Sequence, residues 1–361
     1  MLFLLAALSA CSDERAPAPQ GDNVVNIYNW ADYIAPDTLS RFEKETGIRV
    51  NYDIYDASEV VDAKLLAGNS GYDVVIHSNQ FATVLARIGV FQALDKTRLT
   101  NMGNLDDRVF STIDVYENVR AYNIPYHWGT TGYAWNVDMV RARLPDHPMD
   151  SFDVLFDPAV VSRLADCGVT LLDGPTDLIP AVLAYLGRDP NAVDEESLAA
   201  AEAQLRSVQP YIRYFSNQKM ISDLPNREVC VAMSWSGDYA QATTRATEAG
   251  IDIELRYTVP KEGSALWVDG MYIPSDAPHP DNAYRFIDFI LRADIAADIA
   301  NTVYYANANG ASWQYVLPEI LGNPAIYPDA EVWKVMYPIL PAEPKRERAR
   351  TRAFARAKAG I

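Results

Sequence analysis

NVVNIYNWADYIAPDTLSRFEKETGIRVNYDIYDASEVVDAKLLAGNSGYDVVI, residues 23–76, alternates two kinds of text. Asn23–Tyr28 and Asp73–Ile76 are apolar and rich in β-branched residues, as strands are. Pro36–Glu45 sets Leu39 and Phe42 at helical spacing, with Asp37 or Thr38 near an N-cap and Gly47 as the stop. Ile48–Ile54 alternates as a second strand, Glu59–Ala67 reads as a helix, and Gly68–Gly71 as a turn. Strand, helix, strand, helix, strand is the order of an α/β layer with a mostly parallel sheet. Ligand sites in such sheets gather at strand ends, where the crossover loops meet.

Working outward, a second unit is expected after Trp135. Helical text over Asp150–Ala165 precedes a strand at Val169–Leu172, and a polar helix follows at Val193–Val208. Glu228–Ser234 reads as a strand running into a loop and then a helix from Asp238. Leu255–Val259 and Trp267–Ile273 read as strands, and Asn282–Leu291 as a helix with a broad apolar face. A chain of 361 residues is long enough for two domains.

The net charge of −17 disfavours nucleic acid, whose phosphates it repels, and favours small cations. One segment runs against the trend. Lys345, Arg346, Arg348, Arg350, Arg352, Arg356 and Lys358 crowd a closing helix, where they read as its solvated face beside an apolar stripe of Ala349, Ala353, Phe354 and Ala357.

At the N-terminus MLFLLAALSA, residues 1–10, is too short to span a bilayer, which needs about 20 apolar residues, and suits the core of a signal peptide. No Lys or Arg precedes it, which leaves the true start of the chain open. Leu8-Ser9-Ala10-Cys11 resembles a bacterial lipobox, so Cys11 is expected to carry lipid that holds the protein at a membrane. Residues 12–22 then form a polar, Pro-rich tether. Cys167 and Cys230 remain as an even pair in an oxidising compartment, either bridged or as two buried thiols.

Enzyme constellations are missing. The four His sit in no HExxH, and neither GxSxG, a P-loop nor GxGxxG occurs. Carboxylate pairs alone could serve a hydrolase, but 48 acidic residues make chance pairs easy. What recurs is an Asp beside aromatics near strand ends: Trp30-Ala31-Asp32-Tyr33, Trp235-Ser236-Gly237-Asp238-Tyr239 and Trp267-Val268-Asp269. Carboxylates bind ammonium groups by charge-assisted hydrogen bonds, each pair contributing about 4 kcal/mol of Coulomb attraction at 4 Å and an effective dielectric near 20, before desolvation. Ring faces pack on a methylene linker and add cation–π attraction of about 0.5–2 kcal/mol each. Acids at both ends of an aromatic slot would select a molecule charged at both ends. Core packing for the Trp and helix capping for the Asp remain open as alternatives.

Tyr28–Gly47 (YNWADYIAPDTLSRFEKETG) closely resembles the first strand and helix of bacterial putrescine/spermidine-binding proteins of polyamine ABC importers. The likeness continues through Gly71–Val75, Gly89–Gln92, Pro125–Trp128, Cys167–Asp173, Val229–Asp238, Trp267–Pro274 and Tyr304–Asn309, nearly the whole mature chain. It is strongest to the putrescine-binding branch, with Asp in the YNW-x-[DE]-Y motif.

The resemblance implies a two-lobed periplasmic binding protein of type II, with a hinge and an interlobe ligand cleft. One lobe is expected from 23–131 with 251–310, the other from 132–250 with 311–361. It implies ligand contacts from Trp30, Asp32, Tyr33, Ser78, Asp177, Trp235, Asp238, Trp267, Asp269 and Tyr305, and a Cys167–Cys230 disulfide. Ala31 stands where many relatives have Ser or Thr, Asp177 where the putrescine branch tends to have Glu, and Trp267 where some have Phe. The implied protein is a periplasmic monomer without cofactor, metal or catalysis. It carries putrescine or spermidine to an ABC permease and touches the membrane only through its lipid. The same chemistry would also serve another organic cation, such as a guanidino compound, in a binding or sensor protein with no transport role.

Overall fold

The computed structural model describes residues 23–360. The signal segment, Cys11 and the tether lie outside the described residues. The strands are β1 (Val24–Trp30), β2 (Arg49–Tyr55), β3 (Val74–Ser78), β4 (Ile124–Asn136), β5 (Val169–Leu171), β6 (Ile212–Phe215), β7 (Val231–Trp235), β8 (Leu255–Thr258), β9 (Ser264–Tyr272), β10 (Ala306–Asn307) and β11 (Met336–Pro338).

Residues 23–78 form the expected alternation. The first helix, Thr38–Thr46, ends on Gly47, whose φ of +70° is a left-handed conformation that glycine adopts without a Cβ penalty. β1 pairs in parallel with both β2 and β3, and β5 pairs in parallel with both β6 and β7. These two parallel triplets are the sheets of the two lobes. Between them run β9 and β4, antiparallel to each other and to their flanking strands. The sheet is therefore mixed rather than mostly parallel, in the order β2-β1-β3-β9-β4-β7-β5-β6.

β4 joins the lobes. Its first part, to Thr130, pairs with β9, and Thr131–Trp135 pairs with β7. All of its residues are buried, so no alternation of polar and apolar residues marks it as a strand. β8 pairs with the later part of β4, on the edge opposite β7. Val316, Ile320 and Ile326 share a core with Val109, Phe110 and Val268.

Each lobe has its own core. Ile27, Phe42, Val74, Ile76, Phe286 and Ile287 are among the buried side chains of the first. Phe152, Phe156, Leu164, Val169, Ile179, Val182 and Val231 are among those of the second. The closing helix, Pro344–Ala359, packs Ala353, Phe354 and Ala357 into the second core. Its Arg350 departs from expectation: it is 1% exposed rather than solvated, because it lies on the same helical face as that stripe.

Cys167 and Cys230 are bridged, so the alternative of two free thiols falls. The bond ties the entry of β5 to the entry of β7, strands that already pair. Cross-linking positions 63 residues apart restricts the unfolded chain by about 4 kcal/mol in the chain-entropy account. Urea unfolding with and without dithiothreitol is expected to show a loss of about 2–5 kcal/mol on reduction; unchanged stability would contradict a structural role for the bridge.

Candidate functional site

The site is assembled from strand ends of both lobes. β1 ends at Trp30 and the chain turns at once: Ala31 N–H donates to Tyr55 O at 2.9 Å. Asp32 takes φ +53°, a left-handed conformation that Asp tolerates better than most side chains. This turn leaves Asp32 exposed and sends Tyr33 back into the core. On β9, Trp267 and Asp269 are two residues apart and so share one face. Asp269 lies opposite Ser78, the last residue of β3, and the Ser78 hydroxyl donates to its carboxylate.

The second lobe supplies Asp177, Trp235 and Asp238. β7 ends at Trp235, and Asp238 sits in the first turn of the helix Ser236–Glu248, where the helix N-terminus favours negative charge. The Tyr305 hydroxyl donates to Asp238 Oδ1 at 2.5 Å. Asp177, in the first turn of the helix Pro175–Tyr185, accepts from Trp235 Nε1 at 3.0 Å.

Two glycines permit this arrangement. A Cβ on Gly129 would lie 2.5 Å from the Trp267 indole, and one on Gly237 would lie 2.5 Å from the Tyr305 ring. Both rings therefore rest directly on backbone. Tyr305 meets Trp267 edge-on with centroids 5.3 Å apart, and Tyr33 meets Tyr305 in the same way at 5.3 Å. Trp30 leans on Tyr55 at 4.4 Å.

All ten candidate residues line one cleft, of about 920 Å³ counted out to its mouth. The sequence pattern missed part of the lining: Asp56, Ser58, Glu59, Gln80, Phe81, Asp173 and Gln218 among others. Tyr55-Asp56 at the end of β2 carries the same aromatic–acid signal as the three clusters and could have been found. Phe81 is held from behind by His77, stacked on it at 5.6 Å; that contact has no local sequence signature.

Burial dominates the electrostatics. Desolvation raises Asp238 to about 7, with the nearby Asp32 charge adding to the rise and the Tyr305 hydrogen bond opposing it. Desolvation likewise raises Asp269 to about 6, opposed by the Ser78 hydrogen bond and by the Tyr33 hydroxyl, although that hydroxyl lies outside hydrogen-bond geometry. Asp177 rises to about 6 for the same first reason, against the Trp235 hydrogen bond. None of the three forms an ion pair with Lys or Arg among the described residues, and Asp238 Oδ2 has no hydrogen-bond partner there. Buried carboxylates without a counter-charge are costly, and an organic cation with an apolar middle would satisfy both them and the rings. No group of acidic, His or Cys residues among those described could hold a metal ion.

Residues 38–318 match the family described as bacterial extracellular solute-binding protein. The chain is 44% identical over 360 residues to the putrescine-binding periplasmic protein SpuD of Pseudomonas aeruginosa, covering 99% of this chain and 98% of that one. It is 41% identical over 360 residues to the putrescine-binding periplasmic protein PotF of Escherichia coli, covering 99% and 97%. Among solved structures, the substrate-binding protein PotD of a spermidine/putrescine ABC transporter from Streptococcus pneumoniae superposes with a TM-score of 0.77 at 28% identity, covering 93% of this chain and 99% of that one.

The raised carboxyl of Asp238 makes a prediction about the ligand-free protein. An unfolded Asp titrates near 3.9 and this one near 7, so the folded state holds the proton longer and loses stability as pH rises between those values. Asp238→Asn removes the loss. Its stability advantage over the parent is expected to grow by about 1–2 kcal/mol between pH 5.5 and pH 8 in urea unfolding; a gap that does not change with pH would contradict the assignment.

Proposed function

Because the chain belongs to the bacterial extracellular solute-binding proteins, we propose that it is an extracytoplasmic receptor that captures putrescine or spermidine and delivers it to an ABC importer. The observation that carries this reading is the meeting, in one aromatic cleft, of Asp177, Asp238 and Asp269 from both lobes, none of them in an ion pair with Lys or Arg among the described residues. An alkyl diammonium matches it: each end meets carboxylates while the methylene chain lies on Trp30, Tyr33, Trp235, Trp267 and Tyr305. The names of SpuD and PotF support the same ligand class and favour it over a guanidino compound or a sensor without transport.

The four acids and the serine among the ten candidates take the following roles. Asp238, Asp269 and Asp177 hold ammonium groups, Asp32 holds one nearer the mouth, and Ser78 fixes Asp269. Closure about β4 and β9 brings the two sets of acids onto one ligand. The lobes are read as 23–131 with 251–310 and 132–250 with 311–361, except that the pairing of β8 with the later part of β4 favours the second lobe and the core shared by Val316, Ile320 and Ile326 favours the first. The ligand leaves chemically unchanged, and no cofactor takes part. The protein acts as a monomer, docks on its permease, and is held at the membrane by lipid on Cys11.

Calorimetric titration tests the reading. Putrescine or spermidine is expected to bind at micromolar Kd or tighter, about −8 kcal/mol or better; no heat from either polyamine would contradict it. Asp269→Asn is expected to weaken binding by about 2–5 kcal/mol, the usual loss when one partner of a buried charge pair is removed. Affinity undiminished in that variant would place the ammonium elsewhere.

A further inference from the structure

The cleft rim already holds one alkyl ammonium, and it belongs to the protein. Lys358, near the end of the closing helix Pro344–Ala359, places Nζ 2.6 Å from Asp173 Oδ1. The same Nζ lies 5.5 Å from the centroid of Phe215 and 5.9 Å from that of Phe354, two rings packed edge-on at 6.2 Å. Asp173 lines the cleft and is anchored by its backbone N–H, which donates to Asn217 Oδ1 at 2.9 Å. A carboxylate and two ring faces around an ammonium repeat, at the second-lobe rim, the chemistry proposed for the cleft floor.

The opposite rim differs. Asp56 and Glu59, just after β2, are exposed, line the same cleft, and form no ion pair among the described residues. The first-lobe rim therefore offers free acids, whereas the second-lobe rim offers one acid already engaged by Lys358. A diamine seated among Asp177, Asp238 and Asp269 does not need the rim. A triamine with one end on the floor extends its third ammonium toward the mouth, where only the first lobe offers it unengaged charge.

The geometry points to Lys358 as a specificity-determining residue: an intramolecular stand-in for a third ammonium that occupies Asp173 and biases the cleft toward diamines over triamines. The inference rests on the polyamine reading of the cleft. Releasing Asp173 gives both rims an acid, so a third ammonium can bridge the lobes and add to closure. The pair is partly exposed, at 40% and 37% of the two side chains, so its effect is modest and salt-dependent.

The test titrates putrescine and spermidine into the parent protein and into Lys358→Met at low ionic strength. Lys358→Met keeps an unbranched apolar stem of similar length against Phe215 and Phe354. It is expected to raise spermidine affinity about three- to tenfold and to change putrescine affinity less than twofold, a gain of roughly 1 kcal/mol in selectivity. In Lys358→Met/Asp173→Asn the spermidine gain is expected to disappear. An unchanged spermidine-to-putrescine ratio in Lys358→Met overturns the inference. So does equal weakening of both ligands, which assigns Lys358 to folding of the helix, and so does a gain that persists without Asp173. Absence of putrescine binding by the parent would instead defeat the polyamine reading itself.

Discussion

Three carboxylates, the buried Asp238 and Asp269 and the half-buried Asp177, line one cleft and form no ion pair with Lys or Arg among the described residues. Desolvation raises all three, to about 6, 7 and 6. In water such groups would be ionised near pH 4, so the fold spends stability to keep them poised. A buried anion of this kind is either protonated or matched by a counter-ion. The hydrogen bonds from Ser78, Trp235 and Tyr305 offset part of the cost and fix the direction in which each carboxylate faces. In the proposed reading the remaining attraction falls to a ligand, and the aromatic lining favours one with an apolar middle.

The scaffold serves this arrangement. β4 and β9 lie between the two parallel triplets, so one strand carries Trp267 and Asp269 while the next runs from the first-lobe sheet into the second. Gly129 and Gly237 remove the side chains that would lift Trp267 and Tyr305 off the backbone. Trp30 and Trp235 end β1 and β7, Asp32 follows in a turn and Asp238 in the first turn of the next helix, so each lobe brings its own residues to the cleft from the ends of its own strands. In the proposed reading, binding of one cation by acids of both lobes is what draws the lobes together.

Much of this was legible from the residues, for physical reasons that differ by element. The helix Thr38–Thr46 announces itself by spacing and by Gly47, and β1 to β3 by β-branched runs. The Trp–Asp clusters were visible because the same pair of residue types recurs after a strand or, for Trp267 and Asp269, within one, but only the family resemblance turned them into one site; residue spacing does not say that positions 32, 177, 238 and 269 meet. β4 escaped because it is buried on both faces and interrupted by Pro125, Gly129 and Gly132, so neither alternation nor propensity marks it. Arg350 was read as solvated from its charge, whereas its helical position puts it beside the apolar stripe. The engagement of Asp173 by Lys358 is a contact between residues 185 apart, which no local pattern encodes.

The central claim is that the ligand supplies the counter-charge for Asp177, Asp238 and Asp269, and proton exchange on binding measures it most directly. Polyamine ammonium groups stay charged well above neutrality, like Lys at about 10.4, so exchanged protons come from the carboxylates. Calorimetric titration of putrescine at pH 6 in buffers of different ionisation enthalpy is predicted to show release of about one to two protons per ligand, falling toward zero at pH 8.5. Proton uptake, or an affinity and proton count that do not change between pH 5.5 and pH 8.5, would contradict the account.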